Sequence, residues 1–358
     1  MSVYFEPGIK VKNTDAQLNT SVADVSENDL RERYPEVLEV LLRDHTTRRN
    51  IFWATDDYAE LGKGFDYHSE ILPKLITGKF GKVIRPRVQK DKELQTARIR
   101  DMAEVFTPSW ICNAQNNLVD NAWFGYEGAF NTEVNTPDGS HTWKVNTEPV
   151  KFPAGKSWKD YIRATRMEIT CGEAPYITSR YDTTTGEFIP VERRIGLLDR
   201  KLRVINENVH VSGDWLKASQ EAFKSIYAFE WQGDNLLLAR EAMLYTFIEN
   251  YKLKFGKEPK MESIRFIAYI VSWNVWQMDG LKFVIPGSCH EIEDNQLNLF
   301  ADDSEAKSIP CPGCAADDHN RHNGIYCLVK DWGAKDPVTK KQGRKIEFRT
   351  LLKKGTLK

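Results

Sequence analysis

The segment SIYAFEWQGDNLLLAREAMLYTFIENYKLKF (Ser225–Phe255) constrains the fold more than any other part of the chain. An apolar run ends in Glu230, breaks at Gln232–Gly233, and then continues from Asp234 to Phe255 without a glycine or proline. Leu236, Leu237, Ala239, Met243, Leu244 and Phe247 recur at the spacing of an amphipathic helix. A strand that feeds straight into a long helix is the building unit of α/β folds. A shorter version lies upstream in MEITCGEAPYITSRYD (Met167–Asp182), where Arg166–Thr170 reads as a strand, Gly172 as a tight turn, and the residues after it as a helix.

Both units end their strand on an acid, Glu168 and Glu230. The C-terminal edge of an open α/β sheet is where ligands bind, and a turn leading into a helix would present main-chain N–H groups there. Glu230 is placed to accept hydrogen bonds from ribose hydroxyls, and Trp231 to stack on an adenine ring. Cys171 as a nucleophile would need a partner base, and His141, His210 and His290 are all remote in sequence. The order of these features favours a nucleoside-cofactor pocket over a nucleophile site.

Other segments fill in the organisation. Residues 31–80 mix helical spacing with aromatics, and PSWICNAQNNLVDNAW carries helix periodicity after Pro108. Residues 126–157 read as a loop or hairpin insertion, and LLDRKLRVINEN (Leu197–Asn208), with Asp199, Arg200 and Arg203, as a loop that is either a structural excursion between the two units or a DNA-facing or partner-facing element. MESIRFIAYIVSWNVWQ is too long for a strand and reads as a buried helix, followed by LKFVIP as a short strand. The first residues, to about Leu30, form a polar arm, Glu291–Ser308 an acidic loop, and YCLVKDW with KIEFRTLL a terminal hairpin.

Three stretches, AEVFTPSWICNAQNNLVD, EITCGEAPYITSRYD and IYAFEWQGDNLLLAREAML, together resemble adenine-specific DNA methyltransferases of the restriction-modification subunit M type. The resemblance covers roughly residues 90–290, with the cofactor-binding half first. It implies a Rossmann-like core that binds S-adenosylmethionine. Carried over by position, Phe106, Thr107 and Pro108 close over the methionine moiety. Glu168, Thr170, Cys171 and Gly172 cradle it, and Glu230 holds the ribose.

Two departures stand out. Glu173-Ala174-Pro175 replaces the second glycine of the cofactor loop, which stiffens the cradle. The N-P-P-[YFW] tetrapeptide that such enzymes use to hold a flipped base is absent from the chain. Substitutes are few: Asn274 and Trp276 in SWNVWQMDG, or Asp331 and Trp332 in KDWG. The blander reading makes these tryptophans core residues and Asp331 a hairpin edge. NTPD (Asn135–Asp138) precedes the cofactor loop and lacks the aromatic. Alternatively the chain is one half of a split methyltransferase, since it stops near where a strand bearing that motif would follow.

The run CPGCAADDHNRHNGIYC predicts a tetrahedral zinc site. Cys311 and Cys314 form a C-x-x-C knuckle, Cys327 is a third soft ligand, and His322 or His319 completes the set. No thioredoxin-like pattern surrounds the knuckle, which argues against a redox pair, and three or four protein ligands leave no open site, so the metal would be structural. Six cysteines, unevenly placed, fit a reducing cytoplasm rather than a disulfide scaffold.

With 41% hydrophobic and 28% charged residues and a net charge of -1, the chain has the composition of a globular protein with no bulk signal for nucleic acid. The basic runs Arg85–Arg100 and Lys340–Lys345 read as solvated surface. No apolar run reaches the roughly 18 residues that span a membrane, and the N-terminus shows no secretory pattern.

The sequence therefore predicts an α/β protein in three parts. Residues 1–89 form a helical or mixed region, 90–290 a methyltransferase-like cofactor domain, and 291–358 a Cys/His zinc module with a hairpin. The expected function is methylation of adenine's exocyclic amine in DNA, in a restriction-modification or phage modification system. The expected partners are DNA and either a second methyltransferase subunit or a cognate restriction enzyme, with no membrane. The alternative is a non-catalytic methyltransferase-like protein that binds DNA or a partner.

Overall fold

A computed structural model describes residues 25–102, 104–293 and 308–353. The polar N-terminal arm and most of the acidic stretch before Ser308 lie outside the described residues. The fold is mixed α/β, with helices packed around four small sheets.

Helices α1 (Glu27–Arg33) and α2 (Pro35–Leu42) open the described chain. Ser26 caps α1, and proline starts α2 where its missing N–H costs nothing. After the short α3 (Pro73–Ile76) come α4 (Lys92–Met102) and α5 (Ser109–Phe124). Strands β1 (Asn131–Asn135) and β2 (His141–Val145) form an antiparallel hairpin inside the expected insertion. Helix α6 (Trp158–Arg163) leads into β3 (Arg166–Glu168).

Then follow α7 (Leu197–Asn208), α8 (Ser212–Lys224), β4 (Ile226–Glu230), α9 (Gly233–Phe255), α10 (Met261–Asn274) and β5 (Val275–Gln277). The three strands pair in parallel in the order β3-β4-β5. Parallel neighbours need long crossovers, and the helices supply them.

Side-chain alternation divides the sheet into two faces. Ile226, Ala228 and Val275 pack into the large helical core with Leu198, Leu244 and Ile267. Phe229 and Trp276 face a second core with Val329 and Ile285. That core is roofed by the hairpin of β8 (Leu328–Lys335) and β9 (Gln342–Glu347). Before the hairpin lie the small pair β6 (Ile292–Glu293) and β7 (Ser308–Ile309) and helix α11 (Pro312–Ala316); α12 (Arg349–Lys353) follows it. Among the described residues no strand pairs with the outer edge of β3, where Met167 and Ile169 are 40% and 66% exposed.

Several expectations need correction. No α-helix follows Gly172, because Pro175 and the left-handed Ala174 (φ 59°) break the chain into turns, with one 3-10 turn at Val191–Arg193 before α7. Residues 197–208 are a helix rather than a loop, and their charges turn inward. Arg200 pairs with Asp120 at 2.6 Å, Asp199 accepts the Ser179 N–H, and Arg203 pairs with Glu207, so none of them forms a DNA-facing loop. Helix α9 is buried on nearly every side, which identifies it as a central core helix. The apolar run Met261–Gln277 ends in a strand, β5, and LKFVIP makes only a single bridge, Val284 to Tyr326. The basic run at Arg85–Arg100 is not all solvated, since Arg98 is fully buried in an ion-pair network. No helix among the described residues is long and apolar enough to cross a membrane.

Candidate ligand cleft and metal centre

The C-terminal ends of β3 and β4 open into a cleft of about 720 Å³, within the range of small-molecule sites. It is lined by Phe106, Thr107, Glu168, Thr170, Cys171, Gly172, Glu230 and Trp231, so motifs more than a hundred residues apart meet in one place. Pro108 does not line it; it sits at the N-cap of α5. Tyr67, Glu104, Tyr176, Gln232 and Asn235 also line the cleft, and sequence reasoning missed them. Only Gln232 and Asn235 carried a signal, as polar residues just past a strand-end acid.

Glu230 closes the base of the cleft. Its Oε2 accepts the Gly172 N–H at 2.8 Å and its Oε1 the Gln232 N–H at 3.3 Å. Glu168 accepts the Tyr176 N–H through Oε1 at 3.4 Å, while its buried Oε2 has no partner. Burial raises both carboxyls, that of Glu168 well above the ordinary range, and the main-chain hydrogen bonds offset this only in part. Burial also raises Glu104, which lies 3.3 Å from Arg98. Three glutamates line the cleft, and no lysine, arginine or histidine does so among the described residues.

The loop between β3 and the turns is held rigid. Thr170 and Gly172 adopt left-handed backbone (φ 46° and 52°), and the Cys171 N–H returns to the Phe229 carbonyl at 3.0 Å. Burial, with Glu168 and Glu230 nearby, pushes the Cys171 thiol well up. A buried, protonated thiol is not a nucleophile. Glu173 turns away from the cleft, accepting the Arg87 N–H at 2.6 Å and the Tyr181 hydroxyl. Glu173 thus staples the loop to the Arg85–Lys90 turn.

The rim is anchored from behind. Asp234, four residues past Glu230, binds Arg98 at 2.7 Å, Lys90 at 3.1 Å and the Tyr58 hydroxyl at 2.7 Å. Burial alone would raise this carboxyl, but the two cations outweigh it and hold it far below the usual range. The clamp fixes the two ends of the segment that leads through Glu104 to Phe106 and Thr107.

None of the four catalytic candidates reaches the cleft. Asn274 precedes β5 at the opposite end of the sheet, where its Nδ2 donates to the Phe223 and Ile226 carbonyls and its Oδ1 accepts the Trp332 indole N–H at 2.7 Å. Trp276 is buried beneath the hairpin against Phe229 and Phe348. Asp331 lies on β8 beside Arg344 at 3.6 Å. These residues latch the hairpin to the sheet.

The metal prediction needs one substitution. Cys289, Cys311, Cys314 and His322 gather their ligand atoms within 4.8 Å of one another, and each sulfur lies 3.6 Å from His322 Nδ1. Tetrahedral zinc with Zn–S near 2.3 Å and Zn–N near 2.0 Å separates its ligand atoms by about 3.5 Å, so the donor set fits a metal ion. Gly313 is required here, because a Cβ would stand 2.5 Å from the His322 main-chain nitrogen. Cys327 is not a ligand: it is buried in the second core, its thiol facing the Gln277 carbonyl at 3.4 Å. His319 packs its ring on Phe283.

Compared with family models, with curated proteins and with solved structures, the chain matches none.

Proposed function

We propose that the chain is an S-adenosylmethionine-dependent, adenine-specific DNA methyltransferase, or the cofactor-binding subunit of one, from a restriction-modification or phage modification system of the cytoplasm. One observation carries this reading. Two buried glutamates ending adjacent parallel strands meet in a cleft that has no basic lining residue. A dinucleotide or nucleoside triphosphate would bring phosphates against like charge there, whereas a sulfonium and an ammonium group are complementary to it. The parallel sheet, with crossover helices and a ligand cleft at its C-terminal edge, supports a Rossmann-like core.

In this reading Glu230 accepts hydrogen bonds from the ribose and Trp231 stacks on the adenine. The Glu168–Gly172 loop, with Phe106 and Thr107, surrounds the methionine part. Bound S-adenosylmethionine supplies an electrophilic methyl group. The chain's own residues position it and keep water out.

With Asn274, Trp276, Asp331 and Trp332 all outside the cleft lining, the groups that hold the target base come from a second polypeptide. The free outer edge of β3 supports this, since a strand added there would end beside the cleft. The absence of these candidates from the cleft also keeps a second reading in play, a non-catalytic methyltransferase-like protein that binds DNA or a partner.

Transfer of labelled methyl from S-adenosylmethionine to mixed-sequence DNA tests the proposal. The split reading expects no transfer by this chain alone and clear transfer once a neighbouring gene product is added. No transfer in either case, with cofactor still bound, would favour the non-catalytic reading.

Zinc completes the proposal as a structural ion held by Cys289, Cys311, Cys314 and His322, four protein ligands that leave no open position. Metal analysis should find about one zinc per chain, lost in Cys289→Ser and kept in Cys327→Ser. The opposite pattern would restore Cys327 as a ligand.

A further inference from the structure

Beside the glutamates, two amide atoms in the cleft wall have no partner. Gln232 and Asn235 are 3% and 1% exposed, and both line the cleft in the first turn of α9. Asn235 Nδ2 donates to Gln232 Oε1 at 3.0 Å, which leaves Gln232 Nε2 and Asn235 Oδ1 buried without hydrogen bonds. Turning both amides over preserves the count. Their mutual bond consumes one donor and one acceptor, and one free acceptor and free amide hydrogen remain.

An unpaired buried donor and acceptor are costly, so their persistence side by side in a ligand cleft calls for a ligand that offers both complements. The pair is also held in place. The Gly233 N–H between them donates to the Trp53 carbonyl at 3.0 Å, and a Cβ on Gly233 would stand 2.1 Å from the Phe52 carbonyl oxygen. Only glycine lets the turn seat there, and the seat fixes where the two amides stand. Trp231, immediately before the pair, lines the same wall and is held by its indole N–H on the Tyr67 hydroxyl at 3.1 Å.

We infer that Gln232 and Asn235 read the hydrogen-bonding edge of a purine in this cleft, pairing with the 6-amino group and the adjacent ring nitrogen of adenine. Adenine presents one donor and one acceptor side by side, the pattern that carboxamide side chains read on it elsewhere. The inference rests on the nucleoside-cofactor reading and adds to it the residues that choose the base. Glu230 and Trp231 hold a nucleoside without distinguishing its base, because hydroxyls and ring faces are common to all of them.

Calorimetric titration of the full-length chain with S-adenosylhomocysteine and with its 6-desamino analogue tests the assignment. The wild-type protein should bind the analogue about tenfold more weakly. In Gln232→Leu and Asn235→Leu the difference between the two ligands should shrink to about twofold or less, because the discriminating partner is gone. Equal binding of both ligands by the wild-type protein would overturn the inference and leave the cofactor reading standing. Binding of neither would remove the cofactor reading and this inference with it. The wild-type comparison needs no variant, so a substitution that fails to fold does not blunt the test.

Discussion

Glu230 ends β4 and Asp234, four residues on, opens α9; both are buried, and they behave in opposite ways. Asp234 is surrounded by Arg98, Lys90 and the Tyr58 hydroxyl, and its carboxyl is held far below the ordinary range. Glu230 is met only by main-chain N–H groups, and burial raises its carboxyl. Burial therefore does not mark a functional residue. What separates the two is whether the fold supplies the counter-charge. Asp234 gathers two cations and a hydroxyl on its Oδ2 and acts as a structural clamp. Glu168 and Glu230 have no cationic partner among the described residues, and a cationic ligand would supply the missing charge.

The largest expected effect comes from breaking the clamp. Asp234→Ala leaves Arg98 and Lys90 buried against each other and should cost about 3–5 kcal/mol, measured by urea unfolding. A loss below about 1 kcal/mol would mean the clamp is not closed in solution.

The next effect sharpens the contrast through pH. A depressed carboxyl stabilises the fold above its unfolded value, so the contribution of Asp234 is complete above about pH 4 and is lost on acidification below it. Raised carboxyls do the reverse. Glu168 and Glu230 favour the fold below their unfolded value of about 4.3 and weaken it as pH rises through their folded values. Unfolding from pH 3 to 9 should show Asp234→Asn removing stability above pH 4 and Glu168→Gln adding it at high pH. The same sign for both substitutions would dissolve the comparison.

Smaller still is the hairpin latch. Trp332→Phe removes the hydrogen bond to Asn274 and should cost about 1 kcal/mol without changing cofactor affinity. Asp331→Ala, at a half-exposed ion pair, should change stability by less than about 0.5 kcal/mol. A tenfold loss of cofactor binding in either variant would return these residues to the candidate site.

The sequence made the cleft legible where the signal was local. A strand that ends in an acid is a short pattern, and two such strands in one parallel sheet must bring their ends together. So Glu168, Glu230 and Trp231 were readable, and the Phe106–Thr107 stretch joined them through the family resemblance. Signals that depend on distant chain were not readable. Cys289 lies 22 residues before Cys311, and a bridge between Val284 and Tyr326 brings the two segments together. The nearer Cys327 was the natural guess, although PGSC, with its proline-glycine turn, hinted at a second knuckle. The charges of α7 looked like surface because Asp120 and Ser179, their partners, stand elsewhere in the chain. Strand β5 was hidden because Val-Trp-Gln simply extends an apolar helix, and periodicity does not separate the two.

The central claim is that the cleft takes a cationic nucleoside and refuses an anionic one. Calorimetric titration of the wild-type chain with S-adenosylmethionine, and in parallel with ATP and NAD, tests it most directly. The account predicts saturable one-site binding of S-adenosylmethionine, abolished in Glu230→Ala, and no binding of either phosphate-bearing ligand. Binding of ATP or NAD at this cleft, or undiminished S-adenosylmethionine binding in Glu230→Ala, would contradict it.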